Sequence, residues 1–158
     1  SYYREVGAAQ AKLVKDSLLR VNKDCKVFVM GDMNDDPNNR SMAEELRGKA
    51  EIEEVDKGDM YNPWYNILVK QGTGTLMYQG AWNLFDQILV TPNLINKKGS
   101  KDYRDLKYLK CEIQRMPYLF QTEGQYKGST KRTTAGGVWL DGFSDHLPVC
   151  IYLVKEQR

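Results

Sequence analysis

A chain of 158 residues with 41% hydrophobic and 28% charged side chains is large enough for one domain with a true core. Its net charge of +2 does not demand a polyanionic partner. No apolar run approaches the roughly 18 residues that cross a bilayer. Three widely spaced cysteines, Cys25, Cys111 and Cys150, support neither a disulfide framework nor a zinc site. Cys25 and Cys150 flank apolar stretches and are expected as small buried hydrophobes.

The chain opens Ser1-Tyr2-Tyr3-Arg4, without Met, and enters helical periodicity at once, as expected of a piece of a longer protein. Val6, Ala9, Leu13, Val14, Leu18 and Val21 recur at helical spacing and predict an amphipathic helix over about 4–21. A short buried strand, Lys26–Met30, is expected next. It breaks at Gly31 and delivers Asp32 and Asn34 into a polar loop stiffened by Pro37. Alone, this stretch reads equally as a turn or as the ligand-binding rim of a sheet. Ser41 with Glu44 three residues on has capping-box spacing and predicts a short helix over 42–46. Glu51–Lys57 is expected to be solvated. Tyr61-Asn62-Pro63-Trp64-Tyr65 is expected to cover the core, the alternative being a platform for a base or sugar ring. Gly72-Thr73-Gly74-Thr75 lacks the Gly-Lys-Ser/Thr of a phosphate-binding loop and leads instead into a strand over 76–78.

Trp82–Thr91, ended by Pro92, reads as one apolar strand with an acid set into it. Asp86 therefore needs a partner, because buried carboxylates are rare unless paired. Six basic residues between Lys97 and Lys110 read as a solvated surface, with contact to a phosphate backbone as the alternative. Lys107–Ile113 is expected as an edge strand, and the long polar loop over 116–138 as a functional one. A last strand follows Ser144-Asp145-His146. These three consecutive residues cannot form a hydrolase triad, since neighbours in sequence do not point at one another as that chemistry requires. His146 is the chain's only histidine.

Three polar groups thus stand at apolar strands: Asp32 with Asn34, then Asp86, then Asp145 with His146. Side-by-side strands would bring them to one rim. Gly31-Asp32-Met33-Asn34, Phe85-Asp86-Gln87-Ile88-Leu89-Val90 and Ser144-Asp145-His146-Leu147-Pro148-Val149 resemble three successive signatures of the endonuclease/exonuclease/phosphatase superfamily. Thr75, Tyr78 and Trp82 resemble its approach to the middle strand. Met33 and Phe85 are mild departures.

The resemblance implies an α/β fold, the C-terminal portion of a four-layer αββα sandwich with mixed and antiparallel sheets. It covers about 11–154, so residues 1–158 are expected to be one domain forming the C-terminal part of a longer one. It also implies metal-dependent phosphoester hydrolysis of the nuclease or phosphodiesterase kind, with Mg2+ or Mn2+. Asp32 would orient and deprotonate the water, and Asn34 would bond the phosphate or fix Asp32. Asp86 would set the tautomer of His146, which would meet the phosphate, a base role for His146 being the rival assignment. Asp145 would take part in metal binding, and Lys131 and Arg132 in holding substrate. The family's Asn and main metal-binding Glu have no counterpart here and are expected upstream. Weak or absent turnover by this chain alone is then expected, as is an exposed apolar surface covered by an N-terminal half or a second copy. The substrate expected is a phosphate ester, either nucleic acid or a small sugar, inositol or lipid-headgroup ester. A non-catalytic binding or scaffold protein retaining the fold is the alternative from another class.

Overall fold

The computed structural model describes residues 1–157. Two helices, α1 (Tyr2–Val21) and α2 (Trp64–Gln71), accompany ten strands. These are β1 (Phe28–Asp32), β2 (Gly48–Lys49), β3 (Met60–Tyr61), β4 (Leu76–Tyr78), β5 (Ala81–Asn83), β6 (Asp86–Val90), β7 (Lys107–Ile113), β8 (Thr134–Ala135), β9 (Val138–Trp139) and β10 (Val149–Val154). The fold is mixed α/β, as expected.

The main sheet has the order β1-β6-β3-β2, antiparallel except for the β2–β3 pair. Alternation along β1 and β6 gives it two apolar faces. Val29 and Leu89 meet α1 through Ala8, Ala11, Met42, Leu46 and Met60. Phe28 and Val90 meet Tyr108 and Ile151 of the antiparallel β7–β10 pair. The layers are therefore helix, sheet and second sheet. A third cluster, Trp64, Leu84, Ile113 and Leu147, closes the end where β6 begins and β10 is entered.

Helix α1 packs through a different face from the one its apolar periodicity suggests. Ala8, Ala11 and Lys15 face the sheet, while Val6, Leu13, Val14, Leu18 and Val21 are exposed. Two cations fix this orientation. The Arg4 guanidinium pairs with the buried Asp35 at 2.6 Å, and the buried Lys15 ammonium donates to the Gly58 carbonyl at 2.5 Å. Small alanines between them let the helix lie close. Met30, on the edge strand β1, is 70% exposed, so an apolar surface lies uncovered at α1 and this edge.

Other expectations need correction. β1 starts at Phe28 and runs on through Gly31 and Asp32, so the acid belongs to the strand rather than to the loop after it. Ser41 caps nothing: its hydroxyl donates to Asp35 at 2.6 Å and opens a π-helical turn, Ser41–Glu45. The single strand expected over 82–91 is two, β5 and β6, broken at Leu84-Phe85, which places Asp86 at a strand start. Cys25 and Cys150 are only half-buried. Trp64 and Asn62 are fully buried, in line with the core reading of the 61–65 cluster, while Tyr61 and Tyr65 are half-buried. The long loop carries the small β8–β9 hairpin.

Candidate functional site

Antiparallel register sets Asp32 directly opposite Asp86, so both carboxylates project from one face of the sheet. His146 reaches the same place from outside that sheet. Its backbone bridges Leu76, and the Leu147 amide donates to the Thr75 carbonyl at 2.9 Å. This holds the imidazole over β6, where Nδ1 lies 2.7 Å from Asp86 Oδ2. The Thr75 hydroxyl donates to the same carboxylate oxygen at 2.5 Å. A bond from Nδ1–H to a carboxylate leaves Nε2 as the nitrogen without that partner. Side chains of Asp86 and His146 are about one-fifth exposed, so the pair opens to solvent without being swept by it.

The run from Asp32 to Asp36 divides its acids by role. Asp32 and Asn34 face solvent, and the Asn34 backbone amide donates to Asp32 Oδ1 at 2.9 Å from a left-handed conformation, φ 51°. That contact orients the Asp32 carboxylate. Asp35 turns inward to Arg4 and Ser41, and Asp36 accepts from the Leu84 amide at 2.7 Å. Gln87, fully buried, donates to the carbonyls of Asp35 (2.8 Å) and Leu84 (3.0 Å) and accepts from Asn62 (2.8 Å). This network pins the loop carrying Asn34 to the start of β6. Sequence reasoning assigned no such role to Thr75, Asp35, Asp36 or Gln87. A buried Gln beside an acid in an apolar strand was the one signal for such a network.

Burial, opposed by the Leu84 amide and aided by the neighbouring Asp35 charge, holds the Asp36 carboxyl above the ordinary carboxylate range. Ionising it is therefore harder in the folded chain. The linked stability is complete below the ordinary carboxylate value and is lost as pH rises through the folded one. The Asp36→Asn protein keeps an oxygen for Leu84 and is expected to melt about 2 °C higher at pH 7, with no change at pH 3. Scanning calorimetry at the two pH values checks this, and equal shifts at both would contradict it.

A family profile described as the endonuclease/exonuclease/phosphatase family matches residues 2–155. The chain belongs to the endonuclease/exonuclease/phosphatase family. Neither the curated proteins nor the solved structures gave a significant match. Membership makes the chain one of a superfamily of phosphoester hydrolases that generally use a divalent metal.

The remaining expected residues of this family member lie on the loop side of the site. Asp145 Oδ2 takes Arg132 at 3.1 Å, while its backbone carbonyl accepts from the Thr130 hydroxyl at 2.7 Å. Lys131 contributes backbone bonds to Leu119 and Phe143. Gly142 passes so close to the Lys131 and Arg132 carbonyls that any side chain there would collide with them. Among the described residues no three His, Cys, Asp or Glu side chains are grouped as a metal would need. Asp145 held by an arginine is an incomplete donor set, so these residues by themselves do not fit a divalent cation. The expected basic stripe is also largely engaged locally: Lys97 with Glu53, Arg104 with Asp102, Lys107 with Asn93, and Lys110 with Glu112. That fits a solvated surface better than a phosphate-backbone contact. Burial pushes the Cys111 thiol above its ordinary value, which keeps it protonated and unreactive.

Proposed function

We propose that this chain carries one half of a phosphoester-hydrolase site, of the nuclease or phosphodiesterase kind, and is the C-terminal part of a longer domain. The observation that carries the reading is the 2.7 Å contact between Asp86 and the chain's lone imidazole, with Asp32 opposite Asp86 in register. Phosphoester hydrolysis needs a positioned water, a proton acceptor and compensation of charge on the phosphate oxygens. Asp32 orients and deprotonates the water. Asn34 donates to a phosphate oxygen. Asp86 holds His146 so that Nε2 meets the phosphate. Arg132, and Lys131 beside it in the chain, supply positive charge on the loop side.

The cofactor of this reading is a divalent metal, Mg2+ or Mn2+. Bound, it supplies charge neutralisation at the phosphate. Its chief ligand would be a Glu of the upstream part of the domain, which Asp145 could join only on giving up its pairing with Arg132. Weak turnover by residues 1–158 alone is the consequence. The exposed face of α1 and the β1 edge is the surface that the upstream part, or a second copy, covers.

Opposed carboxylates on paired strands repel, and that repulsion is worth up to about 1 kcal/mol. In the complete protein, Asp32→Asn is expected to slow hydrolysis of bis(p-nitrophenyl) phosphate by about 100-fold or more while leaving the melting temperature equal or slightly higher. Loss of activity together with a marked loss of stability would mean that Asp32 serves the fold. Retained activity would take Asp32 out of the reaction, and no turnover by the unaltered complete protein would favour the scaffold reading.

A further inference from the structure

A cavity of about 430 Å³ opens beside the site, between the β4–β5 turn and the long loop. It lies in the range of small-molecule pockets, roughly 300–1,000 Å³. Two of its lining residues touch Asp145, the residue before His146. Arg132 lies 3.1 Å from Asp145, and Thr130 donates to the Asp145 carbonyl. Met77, also in the lining, follows Leu76, which bridges His146.

The lining has a definite chemistry. Tyr78 and Tyr126 bring aromatic faces that stay largely exposed, and Gln79, Gln121 and Gln125 bring amides. An amide offers a donor and an acceptor side by side, the pattern that matches a base edge. Among the described residues, Lys127 and Arg132 are the only charged ones in the lining. Arg132 is paired with Asp145, so the Lys127 ammonium is the charge of the lining that is left to a ligand, and it disfavours a quaternary-ammonium headgroup, which aromatic walls would otherwise suit. With the amides and the tyrosine faces it favours a planar polar ring attached to an anion.

We propose that this cavity is a base-binding subsite, holding the ring of a nucleotide whose phosphate lies at Asp86 and His146. It rests on the phosphoester-hydrolase reading and names its substrate class. A concave pocket of this size takes one splayed base, stacked on Tyr126 or Tyr78, and not a paired one.

The p-nitrophenyl esters of thymidine 5′-phosphate and of phosphorylcholine share a leaving group, so their relative kcat/KM in the complete protein reads the pocket alone. The thymidine ester is expected to be preferred at least tenfold, and Tyr126→Ala is expected to lower that preference about tenfold, the value of one stacking contact. The Gln121→Ala protein should lower it further in the same direction. A single-stranded oligonucleotide is expected to compete better than the duplex of the same sequence. Equal use of the two esters, or a preference untouched by Tyr126→Ala, would overturn the subsite while leaving the hydrolase reading intact. A protein that hydrolyses neither ester yet binds 5′-AMP by calorimetry, with the affinity lost in Tyr126→Ala, would keep the subsite and remove the hydrolase reading. Absence of both turnover and 5′-AMP binding would overturn the two together.

Discussion

Replacing His146 by Ala in the complete protein is expected to slow phosphodiester hydrolysis by about 10²–10⁴-fold, the usual contribution of a positioned acid–base group. The contacts of the imidazole grade the neighbouring substitutions. Asp86→Asn keeps the shape beside Nδ1 and an acceptor for Thr75, but removes the carboxylate that holds the ring. It should lose nearly as much activity as His146→Ala. Thr75→Val removes the 2.5 Å donation to the Asp86 carboxylate and a long 3.5 Å acceptance from the Asp86 amide. About a tenfold loss is expected there, one charge-assisted hydrogen bond being worth roughly 1.5–3 kcal/mol. The double variant Asp86→Asn with His146→Ala should be little worse than His146→Ala, because the two act as a unit. Additive losses would separate the pair. Unchanged turnover in His146→Ala would take the imidazole out of the reaction and overturn the role given to the Asp86–His146 pair.

The pairing of Asp86 with His146 was legible in the sequence because an acid in an apolar strand must find a partner, and the chain has one histidine. The convergence of Asp32 was legible for a similar reason, since a strand ending in an acid delivers it to a sheet rim. Other features depended on the tertiary neighbours. The periodicity of α1 marks an apolar stripe of Val6, Leu13, Val14, Leu18 and Val21, but the orientation of the helix was decided by Arg4 on Asp35 and Lys15 on Gly58. An apparent capping box at Ser41 lost to the buried Asp35, which claimed its hydroxyl. The split between β5 and β6 at Leu84 has the same origin. The Leu84 amide is taken by Asp36 and its carbonyl by Gln87, so neither is free to continue a ladder. Local pattern set what could be buried, and long-range polar bonds chose among the options.

The second large effect falls on the core beneath the site. Trp64 opens α2 fully buried, packed with Leu84, Ile113 and Leu147, and its indole N–H donates to the Ile88 carbonyl at 3.0 Å. Trp64→Ala is expected to destabilise the domain by about 3–5 kcal/mol, through lost burial and the cavity left behind. That is a large part of the stability of an ordinary domain. Trp64→Phe fills most of the volume but strands the Ile88 carbonyl, and should cost about 1–3 kcal/mol in all. The position also links packing to chemistry. Leu147 follows His146 and rests against Trp64, so a cavity there frees the segment that holds the imidazole over β6. Activity in Trp64→Ala should therefore fall at temperatures where circular dichroism still reports a folded chain, and Trp64→Phe should recover it. Denaturant unfolding followed in parallel with bis(p-nitrophenyl) phosphate hydrolysis measures both. Coincident loss of the two signals in Trp64→Ala would mean that the imidazole is held by its Asp86 and Thr75 contacts alone.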